Sequence, residues 1–227
     1  MNHLYLVRHG ENTANITKEF SHRKVDYSLT PKGELQARQT AQYFLDKGIQ
    51  AIYSSPLKRA SETAAIIASA LGLPFTVVEN FREINVGDLE GQFPTVELWD
   101  QHKAIVTAWD QGHPEATFPG GEDLYTLNRR IRAGFEQILA GVDGQRLIIV
   151  GHGGLFWHTL PNLCPQMDRG SLDPDNHNCS VTEIRMEHNP DGSISGRLLN
   201  WAAISHLSGP AAQLISGAPL PGELKRA

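Results

Sequence analysis

Apolar and polar positions along the chain follow two rhythms. Short apolar runs recur, and between them apolar residues return every three or four positions. His3–Val7, Gln50–Tyr53, Phe75–Val78 and Arg146–Val150 are runs of the first kind. They read as strands, and the near-continuous apolarity of the first and last is the mark of a parallel sheet buried on both faces. Ala37, Ala41, Phe44 and Leu45 form a helical stripe. It opens at Thr30-Pro31, a hydroxyl cap followed by proline in the first turn, and stops at Gly48. Leu57, Ala60, Ala64, Ile67 and Leu71 form a second stripe, opened by Ser55-Pro56 and ended by Gly72. Leu124, Leu127, Ile131, Phe135 and Ile138 form a third, after the turn at Pro119-Gly120-Gly121.

Weaker patterns fill the rest. Pro94–Gln111 and Gly154–Leu163 read as helical, and Gly10–Ser28 as a polar loop. Cys179–Met186 and Gly196–Trp201 flank an "NPDG" turn, which predicts a hairpin. Beyond Ser208 the chain is rich in Gly, Pro and Ala, and no structure is assigned to it. Strands alternating with helices predict an α/β fold: a three-layer α/β/α sandwich around a mostly parallel central sheet. One domain over residues 1–208, followed by a tail over 209–227, accounts for the pattern.

Composition narrows the function. Net charge is −5, so neither nucleic acid nor an anionic membrane is an expected partner. An anionic ligand would need a local cluster of basic groups. The two cysteines, Cys164 and Cys179, make neither a disulfide framework nor a metal-ligand spacing, which fits a reducing, cytoplasmic setting. Arg8 and His9 break the first apolar run too early for a signal peptide, and no run reaches bilayer-spanning length.

The candidate chemistry lies where the strands end. In open parallel sheets, ligands bind beyond the carboxyl ends of the strands. His9 follows "LYLV" and His152 follows "LIIV", each flanked by glycine (Gly10; Gly151 and Gly153). A lone histidine is more often structural; two at matched strand ends point to one site. Arg8 precedes His9, and Arg59 falls in the first turn of the helix after "SSP". Guanidinium forks and a helix N-terminus suit a tetrahedral phosphate dianion. The same arginines repel a cation, so no metal is expected. A neutral imidazole can attack phosphorus, and the departing alkoxide then needs a proton. "FREINVGDLEG" offers Glu83, Asp88 and Glu90 for that task without choosing among them. Lys58 reads as a surface residue.

These segments resemble a known family. "LVRHGENTAN", "LTPKGELQA", "IYSSPLKRASETA", "FREINVGDLEG", "PGGED" and "IIVGHGG" occur in the order found in the histidine phosphatase superfamily, also called phosphoglycerate mutase-like. The resemblance covers most of residues 3–207. It implies that His9 is the phosphorylated nucleophile and that Arg8, Asn15, Arg59 and His152 hold the phosphoryl group. Glu83 becomes the proton donor, the Gly153 N–H adds a phosphate contact, and Asp88 and Glu90 fall back to surface or helix-start residues. No cofactor or metal is implied. The expected activity is that of a histidine acid-type phosphatase, a phosphoric monoester hydrolase acting on a small phosphorylated metabolite.

Two departures stand out. Asn12 occupies a position where the family carries Ser or Thr, which assigns it to the specificity question. The loop "ITKEFSHRKVDYS" offers Phe20, His22 and Arg23, expected to line the leaving-group side. The segment around Glu83 resembles the phosphatase branch more than cofactor-dependent phosphoglycerate mutases, which remain the alternative. A non-catalytic phospholigand-binding protein is the further alternative. A nucleotide-binding reading of "GHGG" lacks the Walker and GxGxxG patterns. A homodimer is compatible with the sequence.

Overall fold

The computed structural model describes residues 1–226. Six strands form one sheet: β1 (Asn2–Arg8), β2 (Ala51–Ser54), β3 (Phe75–Val77), β4 (Arg146–Gly151), β5 (Val181–His188) and β6 (Ile194–Ala203), in the order β3-β2-β4-β1-β5-β6. The β3-β2-β4-β1 half is parallel. β5 and β6 join as the expected hairpin, β5 antiparallel to β1 and β6 antiparallel to β5. The helices are α1 (Thr13–Thr17), α2 (Pro31–Phe44), α3 (Lys58–Leu71), α4 (Val96–Asp110), α5 (Leu124–Leu139) and α6 (Gly153–Leu163).

Strand alternation divides the core into two layers. Leu4, Leu6, Leu147 and Ile149 face one side, with Leu127, Ile131 and Phe135 of α5 and Phe156 and Leu160 of α6. Tyr5, Val7, Ile148 and Val150 face the other, with Ala41 and Phe44 of α2 and Ala60, Ala64 and Ile67 of α3. This is the three-layer α/β/α sandwich that the apolar runs predict. No helix among the described residues is long and apolar enough to cross a membrane.

Three local expectations change. The segment Gly10–Ser28 is not all loop: Asn12 caps α1, and Asn12 and Asn15 each accept the other's backbone N–H. α2 opens as expected at Thr30-Pro31, but it ends at Phe44, before Gly48. α3 begins at Lys58 rather than at Ser55-Pro56, and its N-cap, Leu57, offers no side-chain bond. The reason is that Ser55 continues the sheet: its N–H donates to the Val150 carbonyl at 2.9 Å. The tail is also ordered by contacts. After a 3₁₀ turn at Gly209–Ala212, residues 217–222 run along the mouth of a large cavity.

Candidate active site

β1 and β4 are neighbours, with Arg8 paired to Gly151, so the next residues, His9 and His152, leave the sheet at the same edge. Their rings lie 5.3 Å apart between centroids, and both are buried. Gly10 allows this by close approach rather than by a left-handed turn. A Cβ there would sit 2.5 Å from the Gly33 carbonyl oxygen at the start of α2.

The His9 ring is held in one orientation. Its Nδ1 lies 2.8 Å from the Gly10 carbonyl, an acceptor, so Nδ1 carries the proton. Arg59 Nε donates to His9 Nε2 at 3.1 Å, so Nε2 carries the lone pair. Burial, then Arg59 and Arg8, holds the imidazole well below its ordinary pKa. The ring is neutral at physiological pH. Ser21 fixes the other end of Arg59, accepting at Oγ (2.7 Å) and at its carbonyl (3.0 Å). Burial lowers the Arg59 pKa to about 10, which still leaves it charged.

Arg8 donates through Nη1 to the Asn176 carbonyl, while its Nε is buried without a partner. Asn12 Nδ2 is buried and unpaired as well. Both residues line the cavity. An orphaned buried donor costs roughly 1–3 kcal/mol, and these two beside one cavity are donors that a bound anion would satisfy. His152 Nε2 pairs with Ser55 Oγ at 2.7 Å, and its Nδ1 has no partner. Burial first, then Arg59, His9 and Arg8, keeps this ring neutral too. Gly153, the first residue of α6, lines the same space.

Glu83 faces these groups across the cavity. Its Oε1 accepts the N–H of Ile84 at 2.9 Å and of Leu155, in the first turn of α6, at 2.8 Å. Oε2 is left for the cavity. Burial raises its pKa, against opposing pulls from the Ile84 N–H and Arg59. The structure thus gathers His9, Arg8, Arg59, Asn15, Gly153 and Glu83 at one cavity of about 990 Å³, with His152 packed behind His9 rather than in its lining.

The loop residues divide. Phe20 lines the cavity, stacked on His102 and near Trp99. His22 and Arg23 do not reach it. His22 is turned under the site, with Nδ1 on the Glu83 carbonyl at 2.9 Å. Arg23 is exposed and pairs with Glu79. The cause is Glu90, which accepts the backbone N–H groups of His22, Arg23, Lys24 and Val25 on one oxygen and curls that segment away. Glu90 is therefore a buried anchor, not a surface residue.

A family model described as the histidine phosphatase superfamily (branch 1) matches residues 4–194. The chain belongs to that superfamily. A Hydrogenobacter thermophilus protein, provisionally named phosphoserine phosphatase 2, is 34% identical over 191 residues, covering 82% of this chain and 91% of its own. A provisionally named phosphoglycerate mutase GpmB of an Enterobacter species is 33% identical over 212 residues, covering 92% and 96%. The solved structure of Bacillus stearothermophilus YhfR superposes with a TM-score of 0.75 at 27% identity, covering 91% of this chain and 99% of that one.

In this member of the superfamily, sequence patterns miss one further residue at the site. Asn178 Nδ2 donates to the His9 carbonyl at 3.0 Å and to Asn15 Oδ1 at 3.1 Å. It ties two site residues to the segment before β5, and only its place between two other polar residues, in "NHNCS", hints at it. Asn12, which the sequence assigns to the specificity question, caps α1 and leaves its side-chain amide unpaired beside the cavity.

Proposed function

We propose that the chain is a metal-independent phosphomonoester hydrolase working through a phosphohistidine at His9. The observation that carries this reading is the His9 ring: neutral, oriented by Gly10, with its Nε2 lone pair beside Arg59. Arg8, Arg59, Asn15, His152 and the Gly153 N–H surround the phosphoryl group. His9 Nε2 attacks phosphorus, and the bond to the ester oxygen breaks. The departing alkoxide takes a proton from Glu83 Oε2 and leaves as the alcohol. Glu83 then removes a proton from water as that water attacks phosphorus. The N–P bond breaks, releasing inorganic phosphate, neutral His9 and protonated Glu83. Positioning and fixed positive charge supply most of the acceleration, as in other phosphoryl transfers.

The raised pKa of Glu83 supports an acid-type profile, because only its protonated form donates. Two permanent guanidinium charges beside the phosphoryl group support catalysis without a metal ion. Residues 1–208 would form the catalytic domain, with 209–226 as a wall of its cavity. Cys164 and Cys179 are buried and free, which supports a cytoplasmic setting. The experiment is hydrolysis of p-nitrophenyl phosphate in chelator. Activity that persists, and is lost in His9→Ala, supports the reading; loss in chelator overturns it.

The mutase-named relatives favour a second reading, phosphoglycerate mutase. A mutase must hold a second anion while the phosphohistidine is shielded from water. Conversion of 3-phosphoglycerate to its isomer, with bisphosphoglycerate supplied, separates the two.

A further inference from the structure

The cavity is far larger than the phosphate cluster needs. At about 990 Å³ it lies at the upper end of small-molecule sites, and a phosphoryl group on a three-carbon alcohol fills a small part of it. Its outer half is lined by aromatic rings. α4 contributes Trp99 and His102, α6 contributes Trp157 and His158, and Phe20 closes one side. Phe20 stands 4.6 Å from Trp99 and 4.9 Å from His102 between ring centroids. Trp99 is fixed by a 3.0 Å bond from its Nε1 to the Lys18 carbonyl. Rings held this way present an aromatic wall on which another flat ring can pack.

The charges around this wall argue in the same direction. Glu19, Asp100 and Asp175 also line the cavity, as does Asp110, which is paired with Arg169 at 2.6 Å. A buried lysine there, Lys18, is committed to Glu223 at 3.6 Å and to the Ser216 carbonyl at 2.9 Å. Lys103 and Arg226 lie exposed at the rim. An alcohol portion bearing a carboxylate or a second phosphate would thus meet carboxylates and, among the described residues, no uncommitted buried cation beyond the two arginines of the phosphate cluster. The two imidazoles are uncharged: burial takes His102 to about 4, and burial with Arg169 takes His158 to about 3. His158 Nδ1 is buried with no partner in the protein, a hydrogen-bonding group left over for a ligand.

We infer that the outer cavity is a leaving-group subsite for a flat, uncharged aromatic body, so that the substrate is the phosphate ester of an aromatic alcohol rather than of an acidic one. The inference rests on the phosphomonoesterase reading for its kinetic test. The wall formed by Phe20, Trp99, His102, Trp157 and His158 holds the ring, while the phosphate cluster holds the ester.

The test compares phosphoserine, ethyl phosphate and naphthylethyl phosphate, all esters of primary alcohols. The expected result is a kcat/KM for naphthylethyl phosphate on the order of a hundredfold above phosphoserine. Trp99→Ala and Trp157→Ala should each narrow that ratio roughly tenfold. A ratio near one, a preference for phosphoserine, or folded variants that leave the ratio unchanged overturns the subsite. Circular dichroism reports whether a variant folds, and if neither does the wild-type ratio decides alone. If no ester is cleaved, the phosphatase reading fails, and calorimetry still decides the subsite. Tighter binding of naphthylethyl phosphate than of phosphoserine upholds it, and equal or weaker binding overturns it.

Discussion

Arg59 Nε lies 3.1 Å from His9 Nε2, so a permanent cation donates to the lone pair that the mechanism requires to be free. The contact keeps His9 unprotonated and marks where a phosphate oxygen would compete for the guanidinium. Replacing Arg59 by Ala removes both effects. The His9 pKa should rise, since Arg59 is the largest influence lowering it after burial. Proton-linked NMR shifts of the His9 ring check the direction, and kcat should fall by roughly 10²–10³-fold.

Glu83 is the proton donor of the account, so its importance should depend on the leaving group. Glu83→Gln should lower kcat/KM, which reports phosphoryl transfer to His9 and not the later attack by water, by roughly 10²–10⁴-fold for an alkyl phosphate and far less for p-nitrophenyl phosphate, because nitrophenolate leaves without protonation. With the wild type, kcat for the alkyl ester should decline as pH rises through the Glu83 pKa, which burial holds above the ordinary carboxyl value. The acid limb should lie well below the ordinary histidine pKa, where His9 gains a proton. Equal losses of kcat/KM on both esters would remove Glu83 from the donor role.

Glu90 carries a prediction about stability. Burial alone would raise its pKa, but the backbone N–H groups of His22, Val25, Arg23 and Lys24 together outweigh that and lower it. Glu90→Ala leaves those donors without their acceptor and should cost about 2–3 kcal/mol in denaturant unfolding. A lowered carboxyl pKa means the anchor contributes above the ordinary carboxyl value and fades as pH falls through the folded one. The gap between wild type and Glu90→Gln should accordingly shrink in acid. Activity should drop too, because the same segment carries Ser21, which holds Arg59.

The tail contributes a wall. Val96 donates its N–H to the Lys225 carbonyl, and Lys18 reaches Ser216 and Glu223. Ending the chain after Ile215 keeps the buried Ala211 and removes the cavity-lining stretch. The shortened protein should show a KM raised more than its kcat is lowered, measured by steady-state kinetics. An unchanged KM would mean that the tail leaves the substrate untouched.

Much of this architecture is legible in the sequence because it rests on local periodicity. The stripes of α2, α3 and α5 and the two strands ending in His9 and His152 need no knowledge of distant contacts. The features that stay hidden depend on long-range meetings. Asn178 acts on His9 across 169 positions of chain, and Glu90 on Val25 across 65. Ser55-Pro56 resembles a helix start but serves the sheet, because Val150 competes for its N–H. His22 and Arg23 have the residue types of a binding loop, and the curl imposed by Glu90 turns His22 under the site and Arg23 out to the surface.

The most direct test of the account is rapid acid-free quenching of the enzyme during turnover, followed by mass spectrometry of its peptides. One phosphoryl group is expected on the peptide containing His9, stable in base, labile in acid and absent from His9→Ala. Turnover with no covalent adduct, or an adduct on another residue, would contradict it.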